Sequence, residues 1–89
     1  MTRRILLLLP GALLLSAREL SDDEIYDEVR RRLTADREVK ILDLDVAVSQ
    51  GVVTLKGLVE TERLRSRAER IVKKIKAVRG VNNELRIRQ

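Results

Sequence analysis

The stretch from Leu42 to Gly57, LDLDVAVSQGVVTLKG, decides the fold of this chain of 89 residues. Apolar residues alternate with polar or small ones on either side of Gln50-Gly51, as in two half-buried strands joined by a two-residue turn. A glycine in that turn supplies the positive φ that such a turn needs. The stretch therefore predicts an antiparallel β-hairpin.

One register of this hairpin suits both faces of the sheet. It pairs Ser49 with Val52 across the turn and sets Asp45 opposite Lys56, an opposite-charge pair on the outer face. The apolar side chains then meet on the inner face in the pairs Val48–Val53, Val46–Leu55, Leu44–Gly57 and Leu42–Val59. We expect the first two pairs to be buried beneath helices, and Gly57 to mark a place where a helix approaches the sheet closely.

The segments that flank the hairpin predict the rest of an αββαβ order. A capping box at Ser21 opens a helix that runs to about Ala35 with one apolar face. Thr61 caps a second helix, which ends before Gly80, a good C-terminal stop. Its apolar stripe is Leu64, Ala68, Ile71, Val72 and Ile75. Residues 81–87 alternate as a last strand, so we expect an α+β fold with two helices packed on one face of a three-stranded sheet.

The composition excludes most enzyme chemistry. The sequence contains no Cys and no His, which removes disulfides, thiol nucleophiles, His-based acid–base catalysis and the usual zinc ligand sets. No catalytic triad or phosphate-loop spacing occurs, and the region of Gly51 lacks the extra glycines and the immediate helix start of a phosphate cradle. We therefore expect a protein that is not an enzyme and has no cofactor or metal. The net charge of +5 favours anionic partners weakly.

Residues 1–17, MTRRILLLLPGALLLSA, are typical of a secretory signal peptide. Arg3 and Arg4 form the basic start, and the apolar run over residues 5–15 would span only about 16 Å as a helix. A bilayer core needs about 30 Å, so the run is too short to cross it comfortably. The alternative is a buried N-terminal element of a cytosolic protein. We expect export and a mature single domain over residues 18–89.

The end of this segment resembles a lipoprotein signal without its lipid site. Leu15-Ser16-Ala17 matches the first three positions of a lipobox, whose fourth position must be Cys. Arg18 stands there instead, so no lipid can be attached. We therefore expect an exported protein that is not lipidated.

Three segments in this order, SDDEIYDEVRRRL, GVVTLKGLV and VRGVNNELRI, resemble the BON domain, which is named for bacterial osmotically induced and nodulation proteins. The resemblance covers Ser21 to Ile87, and the matching motif positions are Gly51, Gly57, Gly80 and Val81. It implies a protein of the periplasm or cell envelope of a Gram-negative bacterium, associated with phospholipid binding, envelope stress and membrane integrity. The chain has one copy where many such proteins have two, and it lacks the Cys that carries a lipid.

The second predicted helix carries cations beside its apolar face. Four of them lie within about 60° of one another on a helical wheel, namely Arg63, Arg67, Arg70 and Lys74. We call these four residues the cation stripe. Glu69 faces elsewhere and can pair with Arg65 and Lys73, so the stripe has no acidic partner within its own helix. It is either a solvated flank or a surface that contacts anions such as lipid head groups.

Two functions remain open for such a domain. The first is a non-enzymatic envelope module that binds anionic phospholipid surfaces weakly through the cation stripe, in support of envelope integrity or a stress response. The alternative is a protein-interaction or oligomerisation module of a larger envelope assembly. It would use a sheet edge or the open sheet face, where Val52, Thr54 and Leu58 form a modest apolar strip. Nucleic-acid binding is disfavoured, since the sheet offers no stacking aromatics and no GxxG clamp occurs.

Overall fold

The computed structural model describes residues 20–88 of the chain. Within them, two helices and three strands follow one another as α1 (Asp22–Ala35), β1 (Leu42–Ser49), β2 (Val52–Val59), α2 (Glu62–Lys73) and β3 (Gly80–Ile87). The predicted αββαβ order and the α+β class are confirmed. The predicted signal peptide over residues 1–17 and the lipobox-like sequence up to Arg18 lie outside the described residues.

β2 lies in the centre of a three-stranded mixed sheet with the strand order β1-β2-β3. β1 pairs with it antiparallel through the tight turn, whereas β3 pairs with it parallel. A parallel neighbour requires a crossover connection, which α2 supplies. Both helices contribute to one core, so within the described chain they cover the same face of the sheet and leave the other face open.

The core is aliphatic and lies between the helices and the inner face of the sheet. Its buried members are Ile25, Val29, Leu33, Val39, Val46, Val53, Leu55, Val59, Ala68, Val72, Ile75 and Leu85. Val53 and Leu55 are completely covered and Val46 is nearly so, while Val48 packs half-buried against the same cluster. The predicted burial is confirmed for Val46, Val53 and Leu55, whereas Val48 is only half-buried. Burying a Val or Leu side chain contributes about 1.5–3 kcal/mol, so this core supplies the main driving force for folding.

Both helix starts follow from their capping residues. The Ser21 hydroxyl accepts a hydrogen bond from the Glu24 N–H at 3.2 Å, and the Glu24 carboxylate accepts one from the Ser21 N–H at 2.8 Å, which completes the predicted capping box. The Thr61 hydroxyl likewise accepts a bond from a first-turn N–H of α2 at 3.2 Å. Neither helix of residues 20–88 combines the length and the apolar composition that crossing a membrane requires.

α2 ends before Gly80, but Gly80 is not its stop signal. The helix ends at Lys73, and Gly80 is the first residue of β3. Lys74 closes the helix in the right-handed conformation, and the chain then turns through a bond from the Val78 N–H to the Ile75 carbonyl at 3.0 Å. A left-handed glycine cap is therefore not needed at this end.

The hairpin has the predicted register from its turn back to Asp45. The observed partners are Ser49–Val52, Val48–Val53, Ala47–Thr54, Val46–Leu55 and Asp45–Lys56. Gln50 and Gly51 occupy the turn with φ of 51° and 82°. Positive values at both positions are those of the two-residue turn that suits the twist of a hairpin.

Before residue 45 the predicted pairs Leu44–Gly57 and Leu42–Val59 are wrong. A bulge shifts the pairing and sets Leu42 opposite Leu58. A shift by one residue turns a side chain to the other face of the sheet. Leu42, which the pattern places in the core, is accordingly 50% exposed.

The cause of this bulge lies at Gly57. It has a φ of 147°, and a side-chain carbon added there would come within 2.7 Å of Ile41 Cγ2 and 2.9 Å of the Leu42 carbonyl oxygen. The start of β1 therefore fills the space that a side chain would need, and Ile41 packs against the core in the place predicted for Leu42. Asp43 absorbs the distortion with a φ of 54°. The prediction that a helix approaches Gly57 is wrong, because β1 itself approaches it.

Candidate functional site

The structure places the cation stripe along α2, where its members divide into two pairs. Arg63 and Arg67 lie in the first half of the helix beside the connection from α1 to β1, whereas Arg70 and Lys74 lie at its C-terminal end. All four side chains are at least partly exposed. The two pairs differ in whether carboxylates neutralise their charge.

Arg67 is held by a carboxylate from another element. Its Nε donates to Asp36 Oδ1 at 3.1 Å and its Nη2 to Asp36 Oδ2 at 3.0 Å, a bidentate pair. Asp36, the C-cap of α1, also accepts bonds from the N–H groups of Val39 and Glu38 at 2.9 Å each. These bonds hold the pKa of Asp36 well below its usual range; the bond from Arg67 contributes most, and the two N–H bonds contribute less. The bond to Asp36 in turn raises the pKa of Arg67. Arg67 thus links α2 to the α1–β1 connection.

Arg63 has a weaker partner in the same connection. Its Nη1 lies 3.4 Å from Glu38 Oε1, and Arg67 Nε lies 3.3 Å from the same oxygen. The Arg63 side chain is 65% exposed, and ion pairs of this exposure contribute little to stability. Carboxylates from outside α2 therefore neutralise the first half of the cation stripe.

The C-terminal end of α2 keeps its positive charge. Arg70 and Lys74 are exposed, and neither they nor Lys76, two residues further on, contacts a carboxylate within residues 20–88. Lys73, by contrast, pairs with Glu69 at 2.9 Å, as predicted. We call Arg70, Lys74 and Lys76 the α2 cation cluster. It consists of the unpaired part of the cation stripe together with Lys76, and it is available to an external anion.

The residues at the motif positions have structural roles in the fold. Both N–H groups of the hairpin turn, including that of Gly51, donate to the Asp22 carboxylate at 2.9 and 3.0 Å, so the first turn of α1 holds the hairpin turn. A side-chain carbon at Gly51 would come within 2.7 Å of Arg79 Cγ. At Gly80 such a carbon would meet nothing within 4 Å, and Val81 after it packs against the core. The turn is thus occupied by contacts from the protein's own elements.

Nearly the whole described chain matches the model of a known family. A model of the BON domain matches residues 21–89, a range that spans both helices and all three strands described above. The chain belongs to the BON domain family. A search of curated proteins found no match. BON domains are not a known family of enzymes, and they are associated with phospholipid and with the cell envelope.

One contact of this BON domain is not foreseen in the sequence pattern. The Arg65 guanidinium donates from Nε to the Leu85 carbonyl and from Nη2 to the Asn83 carbonyl, each at 3.0 Å. Asn83 Nδ2 donates in return to the Arg65 carbonyl at 2.9 Å and to Glu69 Oε1 at 3.2 Å. The signal for this contact is Asn83 itself, because a polar side chain at an inward position of a strand needs a partner.

Proposed function

We propose that this BON domain binds anionic phospholipid surfaces weakly and reversibly through the α2 cation cluster. The observation that carries the proposal is the exposure of Arg70, Lys74 and Lys76, which contact no carboxylate in the described part of the chain. Arg63 and Arg67 are neutralised in place, so they contribute only when a head group displaces their carboxylates. The family's association with phospholipid supports an anionic lipid as the partner.

The expected affinity is low. A basic residue near an anionic surface contributes about 1 kcal/mol, so a cluster of three contributes about 3 kcal/mol. By simple conversion this corresponds to a dissociation constant of about 6 mM. Salt weakens the attraction further, since the Debye length falls from about 30 Å at 0.01 M to about 8 Å at 0.15 M. Such binding is reversible and becomes significant when several domains act together.

The proposal includes the place where this binding acts. The signal-peptide features of residues 1–17 and the family's association with the envelope support export to the periplasm or cell envelope of a Gram-negative bacterium. Arg18 stands where a lipid-bearing Cys would be, so attachment to a membrane would depend on weak surface contact. Reversible attachment of this kind suits a role in envelope integrity or stress response and needs no enzyme activity.

Vesicle co-sedimentation tests the lipid contact. The protein is mixed with vesicles that contain anionic lipid or only zwitterionic lipid, each at about 10 mM and about 150 mM salt. We expect binding to anionic vesicles at the lower salt concentration, a steep loss at the higher one and no binding to zwitterionic vesicles. Binding that is independent of lipid charge or of salt would contradict the proposal.

A pair of triple variants assigns the surface. The first neutralises the α2 cation cluster through Arg70→Gln, Lys74→Gln and Lys76→Gln. Glutamine is chosen because a carboxylate at the C-terminal end of a helix would oppose the helix dipole. The matched control removes exposed cations elsewhere through Arg37→Gln, Lys40→Gln and Arg86→Gln.

Both triple variants have the same net charge, so they separate position from total charge. The proposal requires that the first variant lose binding and that the control keep most of it. Equal losses would assign the binding to net charge alone. Undiminished binding by the first variant would make the α2 cation cluster an ordinary solvated surface.

A further inference from the structure

The two edges of the sheet differ in a way that bears on self-association. β1 and β3 are the edge strands, because β2 lies between them. An edge strand presents unpaired N–H and C=O groups that can pair with another chain. Over the described residues, side chains close one edge, and the other edge is open.

The middle of the β3 edge, at Asn83 and Leu85, is closed by the side chains of Arg65 and Asn83. The Arg88 N–H donates to the Val59 carbonyl at 2.7 Å, so alternate backbone groups of β3 face β2, and those of Asn83 and Leu85 face outward. The Arg65 guanidinium binds both of these outward carbonyl oxygens at 3.0 Å. The Leu85 N–H donates to Asn83 Oδ1 at 3.3 Å. A strand that approached this edge would have to displace all of these bonds.

The edge of β1 has no such closure. In β2 the backbone groups of Val59 and of every second residue before it face β3, so those of the residues between them face β1. Their partners on β1 are Asp45, Ala47 and Ser49. Val46 and Val48 therefore point their N–H and C=O groups outward, and no hydrogen bond from residues 20–88 reaches these groups. The bulge and the turn limit this open edge to residues 45–49.

We propose that the open edge of β1 pairs with the same edge of a second copy, antiparallel, around a two-fold axis at Ala47. The pairing joins two three-stranded sheets into one continuous sheet. Because the edge of β3 is closed, head-to-tail growth is blocked, and the symmetric dimer is the assembly that remains. The proposal rests on the backbone of β1 and does not depend on lipid binding.

The register of the pairing follows from the few groups that are free. An axis at Ala47 sets Val46 of each copy opposite Val48 of the other and uses every outward group of both residues. An axis at Val46 or Val48 would bring the bulged segment or the turn into the ladder. With the axis at Ala47, Asp45 lies opposite Ser49 of the second copy, so no like charges meet. At the axis itself only two small alanine side chains adjoin.

The symmetry of this dimer places the two α2 surfaces on the same side of the sheet. A two-fold axis perpendicular to the continuous sheet puts the helices of both copies on the same side. The dimer therefore presents two α2 cation clusters toward one side. Two linked domains bind a surface more tightly than one, because the second contact becomes intramolecular.

A single-cysteine experiment tests the axis. The sequence contains no Cys, so the substitution Ala47→Cys introduces one thiol per chain. In the proposed register the two residues at position 47 form a non-hydrogen-bonded pair with Cα atoms about 4.5 Å apart, which a disulfide can bridge. Thr54→Cys is the matched control, because Thr54 is the partner of Ala47 on the central strand.

Under mild oxidation, the Ala47→Cys protein should form a disulfide-linked dimer more than roughly tenfold faster than the Thr54→Cys protein, since a preformed pair raises the effective thiol concentration. Sedimentation equilibrium gives an independent readout. Wild type should show twice the monomer mass, and so should Thr54→Lys, whereas Ala47→Lys places two ammonium groups side by side at the axis and should yield a monomer.

Two outcomes would overturn the dimer. One is a wild-type protein that stays monomeric at about 1 mM, where even weak self-association is detectable. The other is an equal rate of oxidation for the Ala47→Cys and Thr54→Cys proteins. Neither outcome bears on the vesicle experiment, because a single domain suffices for lipid contact.

Discussion

Arg67 and Asp36, 31 residues apart in the chain, are joined by two hydrogen bonds of 3.1 and 3.0 Å that run from Nε and Nη2 of the guanidinium to the two carboxylate oxygens. The pair fastens the α1–β1 connection to the side of α2. The paired carboxylate neutralises the guanidinium charge and fixes its orientation, so Arg67 attracts a lipid phosphate less strongly than an unpaired arginine does. Arg67 is therefore a structural contact of the fold, whereas Arg70 and Lys74 of the cation stripe remain a free surface over the described residues.

Stability should depend on acid through Asp36. Its pKa in the folded state lies below the usual value of 3.8, chiefly because of the bond from Arg67. A carboxylate with a lowered pKa stabilises the fold fully above its unfolded pKa, and this contribution is lost as the pH falls through the lower folded pKa. We therefore expect the free energy of unfolding to decrease as the pH falls below about 4, in denaturant titrations at several pH values.

Two variants check that Asp36 is responsible. Asp36→Asn cannot ionise and should lose this part of the pH dependence. Arg67→Lys keeps the charge but cannot make the two parallel bonds, so it should lose a fraction of the dependence. If the Asp36→Asn protein showed the same pH dependence as wild type, other carboxylates would have to account for it.

Gly57→Ala should destabilise the protein by about 1–3 kcal/mol, the usual cost of a strained backbone position. Gly57 has a φ of 147°, and the added carbon would lie 2.7 Å from Ile41 Cγ2. Gly80→Ala is the matched control, because a carbon there meets nothing within 4 Å; it should change stability by no more than about 0.5 kcal/mol. Urea unfolding of the two variants makes the comparison. Equal midpoints would contradict the account of the bulge.

Leu55→Ala should cost about 2–5 kcal/mol, as truncation of a fully buried side chain usually does. Leu55 lies at the centre of the core on β2 and is 0% exposed. The control is Val52→Ala on the same strand, because Val52 faces outward and is 36% exposed. Denaturant unfolding should therefore show a large shift for the first variant and a small one for the second. An unchanged midpoint for Leu55→Ala would mean that the core lies elsewhere.

The alternating pattern of the hairpin predicts the register near the turn because burial and charge agree there, as the pair Asp45–Lys56 shows. Further from the turn, Ile41 and Leu42 compete for one inward position, and alternation alone does not rank them. Gly57 decides in favour of Ile41, since the space left by its missing side chain admits the backbone of β1. This is a tertiary contact, which a period of two along one strand does not encode.

Prediction from the sequence is limited in the same way at the candidate site. A helical wheel of α2 groups the four members of the cation stripe, but it cannot show Asp36 and Glu38, which reach the helix only in the folded chain. The strand pattern likewise marks Asn83 as a polar residue on an inward face without naming Arg65 as its partner. A pattern within one element predicts where a charge lies, whereas its neutralisation depends on residues from other elements.

The N-terminal segment predicts a processed protein. We expect the protein from its native host to begin near Arg18 and to carry no lipid, and measurement of the intact mass checks both points. Arg18→Cys, in a host with lipoprotein machinery, should create a membrane-anchored form, because Leu15-Ser16-Ala17 supplies the rest of the lipobox. A cytoplasmic product that starts at Met1 would refute export. Failure of the Arg18→Cys protein to acquire lipid would show that the likeness to a lipobox is accidental.

Arg65 should limit assembly to the dimer. Arg65→Met keeps much of the apolar stem but removes every donor from the outward carbonyls of Asn83 and Leu85. The edge of β3 then opens as well, and two open edges permit head-to-tail growth. We expect species larger than the dimer, with a mass that rises with protein concentration, in sedimentation velocity experiments.

Arg63→Met is the matched control for this prediction. It removes the same charge from a neighbouring position of α2 that is 65% exposed and bonds Glu38, not β3. Its distribution of masses should equal that of wild type. Larger species in both variants would point to the loss of charge in general. If Arg65→Met keeps both the wild-type distribution of masses and the wild-type unfolding midpoint, the bonds from Arg65 do not block pairing at the edge of β3. Another feature of the protein would then have to stop growth at the dimer.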